Sequence, residues 1–269
     1  MAFNRRQFLK VAGLSTALGL GGKGAFELLW PGEVGATELA TRPRALHGKR
    51  WGMVIDTRKF KKPEDFEVCT KACHQAHNVP YIKTKRIEIK WIWSAYFFQA
   101  FTDQENAYLG ETNEGQVLLL CNHCDKPPCV RVCPTKATFQ REDGIVFMDF
   151  HRCIGCRFCM AACPYGSRSF NFGDPRKLND QAINPKFPSN GDFPTRTKGV
   201  VEKCNFCAER LAQGLLPACV EASRKHGSGG LYFGDLADPN SEVRRALRQH
   251  FTIRRKPSLG THPSVFYIV

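Results

Sequence analysis

Cys153-Ile154-Gly155-Cys156-Arg157-Phe158-Cys159-Met160-Ala161-Ala162-Cys163-Pro164 decides the reading of this chain. Its spacing is C-x2-C-x2-C-x3-C-P, the run that holds [4Fe–4S] cubanes through thiolates. Three thiolates at this spacing wrap one face of a cubane while backbone amides solvate its sulfides. The fourth thiolate must come from elsewhere.

Such runs work in pairs, because in a two-cluster ferredoxin the fourth cysteine of each run ligates the other run's cluster. The partner run lies just upstream: Cys121, Cys124, Cys129 and Cys133 read C-x2-C-x4-C-x3-C and are followed by Pro134, with two extra residues in the loop Lys126 to Pro128. Crossing the two assigns a first cluster to Cys121, Cys124, Cys129 and Cys163. It assigns a second to Cys153, Cys156, Cys159 and Cys133.

A looser group, Cys204, Cys207 and Cys219, needs one more thiolate, and of the thirteen cysteines only Cys69 and Cys73 are left. A full run ending at Cys73 would have its other ligands at 63, 66 and 69, which are Pro63, Phe66 and Cys69. The run containing Cys219 would end at 223, which is Ser223. One hypothetical fourth cluster thus loses ligands from both halves, so the third cluster takes Cys73 with Cys204, Cys207 and Cys219. Cys69 is left over, most simply as a small buried hydrophobe.

Other uses of cysteine fit less well. Structural zinc also employs paired C-x2-C units, but it closes at four ligands and gives no reason for the C-x2-C-x2-C-x3-C-P run. A zinc-stabilised basic binding module therefore stays a remote alternative. A disulfide framework suits small chains without a core, whereas this one has 269 residues and 42% hydrophobic content. Cys69 to His74 reads C-x3-C-H, one residue longer than the c-type haem motif.

Asn4-Arg5-Arg6-Gln7-Phe8-Leu9-Lys10 forms a twin-arginine export signal, and Val34-Gly35-Ala36 offers a small-residue cleavage site, so residues 1–36 are read as a signal peptide. That route carries folded proteins, which lets thiolates meet iron in the reducing cytoplasm before the oxidising periplasm. The expectation is a periplasmic protein held peripherally at the inner membrane by its partners. The formal charge of +14 invites a nucleic-acid reading, but most of it is absorbed. Removing residues 1–36 leaves about +12, and twelve thiolates around three cubane cores bring the loaded protein to roughly +6. Arg131, Lys136, Arg152, Arg157 and Lys203, set among the ligands, are each either solvated surface or able to raise a cluster's potential.

The pattern predicts a strand over Trp51 to Asp56, a helical turn through Cys73 ending near Pro80, a strand over Tyr81 to Trp93 and another over Val117 to Leu120. It predicts helical turns after Cys129 and Cys159, a strand over Gly144 to Phe150, an irregular excursion over 173–198, a helix over Asp238 to His250 and a last strand over Val265 to Val269. Nothing after the signal is apolar enough to span a membrane. The crowd of Trp91, Trp93, Tyr96, Phe97, Phe98 and Phe101 reads either as a partner-facing anchor or as core.

Across residues 50–269, the segments Trp51-Gly52-Met53-Val54-Ile55-Asp56, Asn78-Val79-Pro80, Cys121 to Asn171, Lys203-Cys204-Asn205-Phe206-Cys207, Pro217-Ala218-Cys219-Val220-Glu221 and Phe233-Gly234-Asp235 resemble the four-cluster ferredoxin subunits of membrane oxidoreductase complexes. More narrowly, the degenerate first run, Pro194-Thr195-Arg196 and Gly199-Val200-Val201-Glu202-Lys203-Cys204 resemble the DsrO-type periplasmic subunits of Dsr transmembrane complexes. The resemblance implies an α+β fold of two ferredoxin-like βαβ lobes around [4Fe–4S] clusters, with irregular insertions. Residues 37–115 and 199–269 would form the outer lobe, 116–172 the inner lobe and 173–198 an insertion. It also implies that the cluster lost here, at Pro63, Phe66 and Ser223, is the one nearest the molybdenum subunit in relatives that serve molybdenum enzymes.

The function expected is electron relay through three [4Fe–4S] clusters in a membrane-associated complex of dissimilatory sulfur metabolism. The expected partners are an integral, quinone-reactive membrane subunit and a periplasmic multihaem c-type cytochrome, with no nucleic acid. The alternative is the iron–sulfur subunit of a molybdopterin reductase for tetrathionate, polysulfide or a similar acceptor. No nucleophile–base pair accompanies the cysteines, so no bond-making site is expected in this chain.

Overall fold

A computed structural model of the chain describes residues 43–104 and 115–269; the export signal and its cleavage site lie outside them. Strand β1 (Trp51–Asp56) leads into helix α1 (Pro63–His77), strand β2 (Ile92–Tyr96), the turn α2 (Phe97–Ala100) and strand β3 (Gln116–Leu120). The paired motifs follow, with α3 (Pro128–Arg131), β4 (Thr138–Gln140), β5 (Val146–Met148), α4 (Phe158–Ala161) and β6 (Ser169–Phe170). After α5 (Pro175–Leu178) come β7 (Val201–Glu202), α6 (Ala208–Leu211), α7 (Ala218–His226), β8 (Leu231–Asp235), α8 (Glu242–Gln249), β9 (Thr252–Ile253) and β10 (Val265–Ile268). The fold is mixed α and β, and the described residues form one compact unit.

The chain's two ends meet in a four-stranded sheet ordered β8-β1-β10-β9, where β1 runs antiparallel to β8 and parallel to β10. This explains why Trp51 to Ile55 reads as continuous apolar sequence. Trp51, Met53 and Ile55 face the main core, while Val54 faces a smaller cluster with Val243 and Ala246 of α8. A strand buried on both faces has no polar side to show.

Helix α1 starts at Pro63, a proline in the first turn where the missing N–H costs nothing. The Asp65 carboxylate accepts from the backbone N–H of Lys61 at 3.2 Å and of Lys62 at 3.0 Å. The helix stops at Asn78, whose φ of 48° is the left-handed cap. Its inner face, with Phe66, Cys69, Cys73 and His77, is buried and packs against α7. Cysteines 150 residues apart in sequence, Cys69 and Cys219, therefore share one interface.

One expected strand is missing. Tyr81 to Trp91 carries only a short helical turn at Lys85–Ile87, and strand begins at Ile92, the residue paired with Leu120. Ile89 and Trp91 are buried individually, but among the described residues the segment has no neighbouring strand to bond. The excursion 173–198 is irregular apart from the turn α5. The other expected strands and helices are present, shifted by a few residues at their ends. Among the described residues no helix is long and apolar enough to cross a membrane.

Candidate metal centres

The opening C-x2-C loop of each cysteine group reverses its backbone at the residue before its second cysteine. His123, Gly155 and Phe206 hold that place with φ of 41°, 72° and 54°. The left-handed turn suits Gly155; in His123 and Phe206 it is strain of about 1–3 kcal/mol each, retained where the surroundings over-determine the loop. Backbone N–H groups point at sulfur from these loops and from neighbouring segments: Thr138 donates to Cys133 Sγ at 3.4 Å, Val201 to Cys153 at 3.5 Å, Phe206 to Cys204 at 3.5 Å and Ala218 to Cys207 at 3.4 Å. Hydrogen bonds to cluster sulfur are among the controls on potential.

The thiols gather as three cages. Cys121, Cys124, Cys129 and Cys163 line one internal cavity with Tyr165 and Arg168. Cys133, Cys153, Cys156 and Cys159 line a second. Cys73 lies with Cys204, Cys207 and Cys219. Burial pushes the Cys124 and Cys204 thiols up to about 12, with the charge of Cys121 adding in both cases. Burial likewise raises Cys73, Cys207 and Cys219. Thiols so desolvated stay protonated unless a cation supplies the missing stabilisation. Cys133 is the exception: burial works against its thiolate, but the N–H of Thr138 and the Thr135 hydroxyl outweigh it and lower the pKa.

The donor set fits [4Fe–4S] clusters. Four sulfurs converge in each cage, amides point at sulfur, and Arg168, 5% exposed, has an Nη2 with no partner among the described residues. Such an orphaned buried donor suits a site with anionic sulfur in it.

The cages are strung in the order third, first, second. Cys204 feels the charge of Cys121, and Cys159 that of Cys129. At the first junction the His123 and Phe206 rings stack at 3.7 Å. Lys203 is wholly buried beside it, donating to the carbonyls of Val146 and of Cys204, the latter at 2.6 Å. Lys203 is thus no solvated surface charge, unlike the exposed Arg131, Lys136, Arg152 and Arg157. Exposure also differs along the row: the third cage is buried throughout, whereas Cys156 of the second is exposed beside Ile154 and Phe158.

Cys69 is fully buried, its thiol 3.7 Å from the Cys219 carbonyl it donates to. Phe66 is buried and packs on Phe60 at 5.2 Å. Pro63 has become the first residue of α1. Phe60, Pro63 and Phe66 line an open groove.

Several supports were invisible in the sequence. His77, Cys207 and Glu209 approach one another closely, yet His77 Nδ1 lies 2.9 Å from the Cys73 carbonyl and Nε2 2.6 Å from Glu209. With both nitrogens engaged, His77 braces the third cage. Arg196 and Glu202, both side chains fully buried, form an ion pair at 2.6 Å, and Arg196 also donates to the carbonyls of His77 and Asn78. Thr261 and His262 accept from the backbone of Lys126 and Asp125, clamping the enlarged loop of the first cage. The aromatic crowd is mainly core: Trp91, Phe97 and Phe101 are buried, and only Tyr96 and Phe98 are exposed, stacked on each other at 5.7 Å.

A family model described as a 4Fe-4S dicluster domain matches residues 117–174, the stretch holding the paired runs. The chain is 40% identical to the Hdr-like menaquinol oxidoreductase iron-sulfur subunit 1 of Archaeoglobus fulgidus, over 98% of this chain and 97% of that protein. The chain belongs to the iron–sulfur subunits of oxidoreductases. Within that family it is also 37% identical to a tetrathionate reductase subunit of Salmonella typhimurium, over 81% of this chain and 72% of the relative. It is 34% identical to the menaquinone reductase iron-sulfur cluster-binding subunit of Nitratidesulfovibrio vulgaris, over 81% and 88%. Members of this kind are electron-transfer rather than catalytic subunits, and so is this chain.

Proposed function

We propose that the chain relays single electrons along three [4Fe–4S] sites, between a quinone-reactive membrane subunit and a second redox subunit, in a periplasmic complex of dissimilatory sulfur metabolism. The observation that carries this is the gathering of twelve cysteines into three four-thiol groups, two of them lining internal cavities and the third buried throughout. When bound, [4Fe–4S] clusters supply one-electron chemistry at modest structural change. The chain's own residues hold the thiolates, exclude water from the third and first cages, and aim amides and cations at sulfur.

Exchange with a partner belongs at the second cage, where Cys156 and its apolar neighbours Ile154 and Phe158 meet solvent. The names of two relatives support quinol chemistry at one end, while the tetrathionate and polysulfide reductase subunits among them fit the molybdopterin-reductase alternative. The DsrO-like assignment, export by the twin-arginine route, peripheral attachment to the inner membrane and a multihaem cytochrome partner are parts of the same proposal. The molybdopterin-reductase alternative would need a further cluster, and Pro63, Phe66 and Ser223 stand where three of its thiolates would be.

The test is anaerobic addition of a menaquinol analogue to the purified membrane complex, followed by EPR. Reduced cubane signals from this subunit are expected within the turnover time of the complex. Clusters that dithionite reduces but quinol never does would refute the relay.

A further inference from the structure

Four basic residues near the cysteines are exposed, so salt and water screen them. Arg168 differs from them in every respect that governs a charge's reach. It is 5% exposed, donates from Nη1 to Thr138 Oγ1 at 3.2 Å and stands 3.8 Å from Met148 Sδ. Among the described residues Nη2 has no hydrogen-bond partner. Arg168 lines the first cage with Cys121 and Cys129, and its neighbours Thr138 and Met148 line the second with Cys153 and Cys159.

An uncompensated buried guanidinium costs several kcal/mol, so its counter-charge has to come from the two cages it touches. We propose that Arg168 is a positioning residue for electron transfer, a fixed cation shared by the first and second cages that raises both potentials together. This deepens the relay reading and rests on it. A cubane held by four thiolates is a formal dianion that becomes a trianion on reduction. A cation fixed in a low-dielectric site stabilises the reduced form more than the oxidised form. Because one guanidinium faces both cages, it lifts both couples and keeps the step between them near level. Arginine suits the place, since it stays charged when buried and its planar fork donates in two directions at once.

The test is an EPR-monitored redox titration of the isolated holoprotein and its R168Q and R168K variants, with iron measured per chain. The third cluster's signal is identified by its loss in C73S. R168Q should keep its iron, and the reduction equilibria of the first and second clusters should each fall by about tenfold or more, which is about 59 mV for a one-electron couple. The third cluster should shift less than about threefold, or under about 30 mV on the same scale. R168K should load fully and hold both couples within that same narrow margin. Full iron in R168Q with neither couple moved, or only one, overturns the proposal. If R168Q loses its iron, R168K decides: loss of iron there too makes Arg168 a packing residue and overturns it. Wild-type protein without cubane signals would instead refute the relay reading itself.

Discussion

Replacing Arg196 by Met should be among the most damaging single changes outside the cysteines. The Arg196 and Glu202 side chains are fully buried, 2.6 Å apart. Without the guanidinium, Glu202 keeps only Trp91 Nε1 at 2.8 Å and Asn171 Nδ2 as donors. The carbonyls of His77 and Asn78 lose theirs. Removing one member of a buried pair costs about 3–5 kcal/mol, mostly from the charge left behind. For a chain of this size 1 kcal/mol moves Tm by about 2–4 °C, so the expected drop is about 6–20 °C. Cluster loss makes unfolding irreversible, so the assay is the apparent Tm at one scan rate under anaerobic conditions. The double variant R196M/E202Q should recover part of the loss by removing the stranded charge. Because the His77 and Asn78 carbonyls end the helix that carries Cys73, iron should leave the third cage first. A drop in R196M under about 3 °C, or a double variant whose loss equals the sum of the single losses, would refute the reasoning.

Cys69→Ser should leave iron per chain unchanged, whereas Cys73→Ser should remove about four irons, the load of one cubane; elemental analysis separates them. Gly155→Ala puts a Cβ 2.2 Å from the Gly199 carbonyl at a φ of +72°, so the second cluster's EPR signal should vanish while the others persist. Tyr267 is buried with no partner for its hydroxyl among the described residues, and burial pushes its pKa up to about 12 from 10.0. A raised folded pKa leaves its contribution intact below pH 10 and removes it as pH climbs towards 12, a loss on the order of 2–3 kcal/mol. Tyr267→Phe should therefore raise the apparent Tm at neutral pH and flatten its alkaline decline; an unchanged pH profile would contradict this.

What was legible in the sequence was whatever cysteine spacing and apolar runs encode locally. Trp51 to Asp56 was readable because a strand buried on both faces is apolar throughout, and the cages were readable because cubane geometry fixes C-x2-C spacing. The grouping of Cys73 with Cys204, Cys207 and Cys219 could be argued only by elimination; in the structure it comes from the packing of α1 on α7, a contact no local pattern announces. Arg168 was passed over because a lone arginine in Ser167-Arg168-Ser169 looks like any surface cation until the fold closes over it. Arg196 lies in the irregular excursion and Glu202 on the two-residue strand β7, six residues apart with no periodicity to mark them as partners. The stretch Tyr81 to Trp91 misled for the opposite reason, since alternation marks which side chains are buried and cannot say whether a neighbouring strand exists to bond.

The central claim is three cubane sites with the fourth lost at Pro63, Phe66 and Ser223, and iron with acid-labile sulfide per chain tests it most directly. Anaerobically purified, matured protein should hold about twelve irons and about twelve sulfides, three [4Fe–4S] loads, with neither zinc nor molybdenum in proportion. About sixteen irons would contradict the loss of the fourth site and restore the molybdenum-enzyme reading; zinc in place of iron would contradict the account as a whole.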